Sequence, residues 1–327
     1  MKAVFFKEYG PPSNLVVEDI PSEPTPAGHV KIGVRAAGVN FPDVLIIQGQ
    51  YQFKPTPPFS PGAEVSGDVL EVGSGVSGFS VGDRVIGMCG WNGFREEVVL
   101  TADRCLSMPP KMDYETGAAL SMTYGTSYHA LVQRGRLKAG ETLLVLGATG
   151  GVGTAAVEIG KLLGAKVIAA GGNDAKLAAV KETYGIPHVV NYASGAPLKD
   201  QVKELTSGAG ADVIYDAVGG DPFEQSLRCI NWDGRLLVVG FAGGTIPAAK
   251  ANLILLKGCS VVGVFWGAFT AREPETNREN FAQLFRWFEE GKLHPHVSHR
   301  FPLANAAAAL AAIVNREVVG KAILTVP

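Results

Sequence analysis

Residues 143–163 read Leu143-Leu-Val-Leu-Gly-Ala-Thr-Gly-Gly-Val-Gly153-Thr-Ala-Ala-Val-Glu-Ile-Gly-Lys-Leu-Leu163. Four apolar residues give way to a turn built almost wholly of small ones, and the turn gives way to a helical pattern. In that strand-turn-helix setting, Ala148-x-Gly150-x-x-Gly153 reads as G-x-G-x-x-G with alanine for the first glycine. Small residues let the chain turn tightly and bring backbone N–H groups against a pyrophosphate. They also pack the helix close to its strand, with the phosphates at the positive helix N-terminus. Ala148, Thr149, Gly150, Gly151, Val152 and Gly153 are therefore the expected phosphate cradle.

The alternation continues downstream. A second strand is expected at Lys166–Ala170, a helix at Asp174–Thr183, strands at His188–Tyr192 and Asp212–Asp216, and helices at Leu198–Thr206 and Phe223–Cys229. Gly234–Gly240 and Ser260–Phe265 supply the last two strands. Six apolar runs separated by helical patterns predict a doubly wound parallel sheet, the Rossmann arrangement, which binds ligands beyond the carboxyl ends of its strands. The loops after Val145, Ala170, Val190, Asp216, Val239 and Phe265 should then line a cofactor crevice, bringing Val218, Phe241 and Ala242 into it.

The end of the second strand selects the nucleotide, because an NAD-binding protein usually places an acid there against the ribose 2′-hydroxyl. Here the chain reads Ala170-Gly-Gly-Asn-Asp-Ala-Lys176. Gly171 and Gly172 leave room for a 2′-phosphate and no charge to repel it, and Lys176 follows as a point-charge partner. NADPH is the expected cofactor. Asp174 is read as the N-cap of the next helix, and the alternative for Lys176 is a solvated first-turn lysine.

A chain of 327 residues is long enough for two domains. Its net charge of −2 supplies no global positive field for nucleic acid. The start, Met1-Lys-Ala-Val-Phe-Phe-Lys7, carries charge inside its only apolar run and does not read as a signal peptide, and no apolar stretch approaches a membrane span. Cys89, Cys105, Cys229 and Cys259 form no C-x-x-C pair and read as reduced core residues of a cytoplasmic protein.

Before the nucleotide fold, short β-type runs broken by Gly and Pro predict a compact barrel-like domain: Lys2–Phe6, Leu15–Val17, His29–Ala37, Gly62–Val72, Arg84–Met88 and Glu96–Leu100. Asp113–Leu120 and Thr126–Val132 have helical spacing. Beyond it come an amphipathic helix at Arg278–Glu290, a run at Val297–Phe301, a helix at Ala304–Val314 and a last strand at Lys321–Val326, which most economically joins the first domain. The expected division is 1–122 with 268–327 for the barrel domain and 123–267 for the nucleotide domain, with a ligand cleft between them.

Along the whole chain, Gly38-Val-Asn-Phe-x-Asp43, Gly49-x-Tyr51, Pro61-Gly-x-Glu64, Gly82-Asp-Arg-Val85 and the glycine turn resemble the medium-chain dehydrogenase/reductase superfamily, in its zinc-independent NADPH:quinone oxidoreductase (zeta-crystallin-like) branch. Gly240–Gly244, Asn252–Lys257, Trp266-Gly267 and His294-Pro-His296 bring it closest to the quinone oxidoreductase-like proteins. The resemblance implies a GroES-like first domain and a homodimer joined through the edge strand Ser260–Phe265. Where zinc alcohol dehydrogenases carry a zinc-binding Cys after Gly-Val this chain has Asn40, and where they carry Gly-His-Glu it has Gly62-Ala63-Glu64. No metal is expected, and His294, His296 and His299 lack the partners of a complete ligand shell.

Without a Lewis acid to lower a hydroxyl pKa, the favoured substrate is one that accepts hydride readily, a quinone or a conjugated carbonyl. The resemblance places Asn40 and Tyr51 against the substrate carbonyl oxygen, with either Tyr51 or solvent delivering the proton. It places Thr126 near the nicotinamide ribose and Phe265, Trp266 and Gly267 against the nicotinamide, and it adds Tyr192 and Arg316 to Lys176 at the 2′-phosphate. Two other functions share these residues: reduction of a 2-enoyl thioester, and cofactor binding with little turnover.

Overall fold

The computed structural model describes residues 1–327 and divides into two units, Met1–Met122 with Pro295–Pro327, and Thr123–His294. In the first unit, β1 (Lys2–Phe6) pairs antiparallel with β2 (Leu15–Asp19). The eleven-residue β3 (His29–Val39) leads into α1 (Phe41–Ile47), followed by β4 (Glu64–Val72), β5 (Arg84–Met88), β6 (Glu97–Thr101) and β7 (Cys105–Ser107). Then come α2 (Tyr114–Ala118) and α3 (Ser121–Tyr128), whose residues from Thr123 onward belong to the second unit. One edge of β3 carries β4, while the other carries β6 at its first half and the C-terminal strand at its second, so the sheet curls into a partial barrel. Phe6, Ile32, Ile47 and Phe94 fill it.

A single π-helical stretch, His129–Arg134, leads from α3 to the second unit's strands. These are β8 (Thr142–Leu146), β9 (Lys166–Gly171), β10 (His188–Asn191), β11 (Ala211–Asp216), β12 (Ile230–Val238) and β13 (Ser260–Gly263). Between them run α4 (Gly151–Leu162), α5 (Asp174–Tyr184), α6 (Leu198–Leu205), α7 (Gly220–Ser226) and α8 (Ala251–Lys257). All six strands are parallel, in the order β10-β9-β8-β11-β12-β13. The order reverses between β8 and β11, the topological switch point that defines the ligand crevice of such sheets. Every residue from Leu143 to Leu146 is fully buried, because a central parallel strand is covered on both faces.

After β13 come α9 (Trp266–Arg272) and α10 (Pro274–Glu289). The chain then returns to the first unit as β14 (Val297–Pro302), α11 (Ala306–Val314) and β15 (Lys321–Thr325), with β15 parallel to β14 and antiparallel to β3. No helix is long and apolar enough to cross a membrane.

Three expectations are corrected. The nucleotide unit runs to His294 rather than 267, because α10 packs within it: Phe281 sits edge-on to Trp266 at 6.4 Å, and Asn280 accepts from Gln133 Nε2 at 2.9 Å. The last strand stops at Gly263, since Phe265 and Trp266 open a helix instead of extending an edge strand. The N-cap of α5 is Asn173, whose Oδ1 accepts from the Lys176 N–H at 3.0 Å. Asp174 occupies the first helical turn and accepts from Asn191 Nδ2 at 2.8 Å.

Candidate functional site

The turn between β8 and α4 is set by close approach. A Cβ at Gly153 would collide with the Gly147 carbonyl oxygen, so only glycine lets α4 start this near its strand. Gly150 is the N-cap, with extended backbone and no capping side chain, which leaves the first-turn N–H groups of Gly151, Val152 and Gly153 without an intrahelical acceptor. Ala148 is buried and its N–H donates to the Ala170 carbonyl at 3.0 Å, joining the turn to β9. Thr149 reaches the same place: a Cβ on Gly171 would lie 3.4 Å from its methyl carbon.

At the end of β9, Gly171 and Gly172 carry no side chain, and the Tyr192 N–H donates to the Gly171 carbonyl at 3.0 Å. The Tyr192 ring edges Gly172, 3.4 Å from where a Cβ would stand. Lys176, in the first turn of α5, belongs to the same corner. Across the switch point, Val218 stands beside Gly147, where a Cβ would lie 2.9 Å from the valine methyl. Buried Asp216 folds this loop by accepting from the Val218 N–H at 2.8 Å and the Gly219 N–H at 3.0 Å, and burial raises its pKa. The Ala242 N–H donates to the Ala217 carbonyl at 3.0 Å, and the Phe241 ring approaches Gly219.

Thr126 joins this edge through its neighbours. Ser127 Oγ donates to the Val152 carbonyl at 2.8 Å, and Gly125 lies flat against the Trp266 ring, which a Cβ would strike. Thr126 is in mid-helix, so its hydroxyl caps no helix start. Trp266 is buried and donates from Nε1 to Asn277 Oδ1 at 3.2 Å, so its side chain serves packing, while Phe265 is exposed to 46%. Gly267 follows in the first turn of α9.

The second unit thus brings together Thr126, the residues of the glycine turn, Gly171, Gly172, Lys176, Tyr192, Val218, Phe241, Ala242 and the 265–267 segment at the carboxyl edge of one sheet. Arg316 belongs to the other unit, as an exposed residue with φ 57° just after α11.

In the first unit, the resemblance implies that Asn40 hydrogen-bonds the substrate carbonyl oxygen. The structure commits it internally. Asn40 is buried; its Oδ1 accepts from Lys321 Nζ at 2.7 Å, and its Nδ2 donates to Glu64 Oε1 at 2.9 Å and to the Gly38 carbonyl at 3.3 Å. Both amide hydrogens are used, which leaves no donor for a ligand. Asp43 Oδ2 in turn accepts from the Asn40 N–H at 2.8 Å and Oδ1 from the Gly62 N–H at 3.1 Å. Burial lifts the Asp43 carboxyl to about 7 against the opposing pull of those N–H groups and Lys321.

Tyr51 lies just past α1, half-buried against the barrel core with Phe53 at 6.1 Å. Its hydroxyl makes no hydrogen bond within the protein, and burial, then the nearby Asp43 charge, raises its pKa above the usual 10.0.

Sequence reasoning overlooked Lys321, which reads as an ordinary strand-start lysine. Asp43 had a usable signal: Asn40-Phe-Pro-Asp43 has the acid three residues after a capping residue and a proline in the first turn.

At the places where the resemblance puts the zinc ligands of alcohol dehydrogenases, the chain offers the Asn40 amide, an Ala63 methyl with no donor atom, and a Glu64 carboxylate already bonded to an ammonium, a set that does not fit zinc. The second unit's edge does fit a dinucleotide: a collision-limited glycine turn, free N–H groups at a twelve-residue helix and a side-chain-free strand end beside an aromatic ring.

Known proteins agree on the family. The family described as zinc-binding dehydrogenase matches residues 151–290, and the alcohol dehydrogenase GroES-like domain matches residues 26–110. The chain is 42% identical to a quinone oxidoreductase-like protein 2 homolog of Nematostella vectensis, over 99% of this chain and 88% of that protein. It is 33% identical to quinone oxidoreductase of Homo sapiens, over 99% of this chain and 97% of that one. Among solved structures, Escherichia coli quinone oxidoreductase complexed with NADPH superposes with a TM-score of 0.92 at 27% identity, covering 99% of this chain and 100% of that one.

Proposed function

The chain belongs to the quinone oxidoreductase family of the medium-chain dehydrogenase/reductase superfamily, and on that premise we propose that it is an NADPH-dependent, zinc-independent oxidoreductase that reduces quinones or other conjugated carbonyls. The observation that carries this reading is the carboxyl edge of the parallel sheet, where a dinucleotide-fitting turn stands beside a strand end without an acid. The α4 N–H groups of Gly151, Val152 and Gly153 hold the pyrophosphate; Gly172, Tyr192 and Lys176 receive the 2′-phosphate. Thr126, Phe241 and the 265–267 segment hold the ribose and nicotinamide.

When bound, the nicotinamide supplies hydride to the acceptor, and the chain's own groups bind, orient and donate. Tyr51 is the donor to the substrate oxygen, because its hydroxyl is uncommitted and stays protonated at neutral pH. Zinc independence is supported by the donor set around Asn40, where an internal ammonium stands.

The active form is a homodimer. Strand β13 ends its sheet with an unpaired edge, and Trp232, Ile246, Leu255 and Leu256 are exposed in the same unit, the last two at 79% and 68%. A monomer by light scattering at micromolar concentration refutes it. Four free, buried cysteines support a reducing, cytoplasmic setting.

The functional test is steady-state oxidation of NADPH and NADH with a panel of quinones, enones and 2-enoyl thioesters, alongside calorimetric binding of each nucleotide. Preferential NADPH oxidation by quinones and enones supports the proposal. Turnover confined to enoyl thioesters reassigns the substrate, and tight NADPH binding without turnover on any acceptor refutes an enzymatic role.

A further inference from the structure

Three ionisable groups meet inside the first unit with almost no access to water. Glu64 is fully buried, and its Oε1 lies 2.6 Å from the Nζ of Lys321, itself only 4% exposed. The ammonium uses all three hydrogens, on Glu64 Oε1, on Asn40 Oδ1 at 2.7 Å and on the Val39 carbonyl at 3.2 Å. The other oxygen of Glu64 accepts from Ser121 Oγ at 2.6 Å and from the Met122 N–H at 2.8 Å. Asp43 is the third group, held by the Asn40 and Gly62 N–H groups. A Cβ at Gly38 would overlap Glu64 Oε1 and the Ala118 carbonyl, so the backbone itself makes room for this carboxylate.

Such a constellation is costly to assemble, because each ion loses its hydration and is tolerated only with nearly complete hydrogen bonding. A well-packed apolar cluster of the same size gives similar or better stability. Its placement suggests what it does. Lys321 enters through the pairing of β15 with β3, next to Ala322, which lies opposite Val39. It grips Asn40, the residue from which α1 starts, and α1 ends in a turn, with Gly49 and Gln50 N–H groups bonded back to Ile46 and Leu45, that leads directly to Tyr51.

We propose that the Lys321 ammonium is a built-in cation occupying the place between Asn40 and Glu64, and that it is a positioning residue: by fixing Asn40 it fixes the start of α1 and, through α1, the Tyr51 hydroxyl. This rests on the assignment of Tyr51 as substrate donor. The ammonium touches neither substrate nor cofactor in this role.

Two arms test it. In the first, Lys321→Ala is melted in NaCl, in n-propanol and in n-propylammonium chloride at equal concentration. The variant should melt about 10 °C below the native protein, as expected when a buried carboxylate loses its partner. Propylammonium should restore about half of that loss while NaCl and propanol do not. Lys321→Arg should stay close to the native melting temperature.

In the second arm, the neutral pair Lys321→Met with Glu64→Gln keeps the volume and removes both charges. It should fold, bind NADPH with unchanged Kd, and show kcat for an enone reduced about tenfold, the size of a misplaced donor. A native-like melt for Lys321→Ala, or no selective effect of propylammonium, overturns the built-in cation. Full turnover by the neutral pair overturns the positioning role. If the native protein turns over no acceptor, the functional assignment fails on its own, and the melting arm still decides whether the ammonium is the required cation.

Discussion

Gly153 stands so close to Gly147 that a Cβ on the first would run into the carbonyl oxygen of the second. This contact joins the last residue of the glycine pattern to the turn that follows β8, and it fixes how near the α4 N-terminus comes to the strand end. A single methyl group therefore tests the cradle. Gly153→Ala is expected to lose about 1–3 kcal/mol by overpacking. It should also weaken NADPH at least about tenfold, because the N–H groups of Gly151 and Val152 are displaced with the helix. Thermal melting and fluorescence titration check both; an unchanged Kd alongside a lowered melting temperature would remove the turn from the phosphate site.

Under the proposed function, Lys176 should discriminate between the two nicotinamide nucleotides. It lies in the first turn of α5, just past Gly172, and Asp174 in the same turn is tied to Asn191 Nδ2. Lys176→Ala should raise KM for NADPH about tenfold, the loss of one charge-assisted contact, and leave KM for NADH nearly unchanged. Equal changes for both nucleotides would show that the lysine does not meet the 2′-phosphate.

The nucleotide unit was largely legible because its signals are local. The apolar run Leu143–Leu146, the small residues after it and the alternation of strands and helices each lie within a few residues of the feature they predict. Trp266 was not legible in the same way. A run such as Ser260–Phe265 reads as a strand by apolarity alone, and only packing against Gly125 and Asn277 shows that the chain has turned into a helix. Lys321 was hidden for a stronger reason. Its partners Asn40 and Glu64 lie 281 and 257 residues away, brought in by strand pairing that no spacing encodes. Nothing near Asn40 in the sequence shows the buried ammonium that bonds its amide oxygen.

Asp43 makes the stability of the barrel unit depend on pH. Its carboxyl is raised from 3.8 to about 7, first by burial and further by Glu64, against the Asn40 and Gly62 N–H groups and Lys321. The folded state then holds this proton more tightly than the unfolded chain. The stability it contributes is complete below about pH 4 and is lost as pH rises through about 7. The difference between 3.8 and about 7 corresponds to on the order of 4 kcal/mol across that window. Asp43→Asn lowers stability near pH 5 by removing an acceptor, and it should flatten this decline between about pH 5 and 8. Urea unfolding at several pH values measures the slopes, and parallel slopes for the two proteins would place the titration elsewhere.

As the proposed donor, Tyr51 should separate acceptors by how much they need a proton. A quinone that takes up hydride becomes a phenolate-like anion stable in water, whereas an enone becomes an enolate that must be protonated to complete the reaction. The Tyr51 hydroxyl has no partner in the protein, and burial together with the Asp43 charge keeps it protonated at neutral pH. Tyr51→Phe retains the ring contact with Phe53 at 6.1 Å, so the fold should lose no more than about 1 kcal/mol. Turnover of enones should fall about 100-fold, the low end for loss of a positioned general acid, while quinone turnover falls much less. Solvent isotope effects sharpen the comparison. If the tyrosine delivers the proton, the isotope effect on enone reduction should rise in the variant as protonation becomes limiting. Equal enone rates and equal isotope effects in the two proteins would mean that water supplies the proton and that Tyr51 only shapes the barrel.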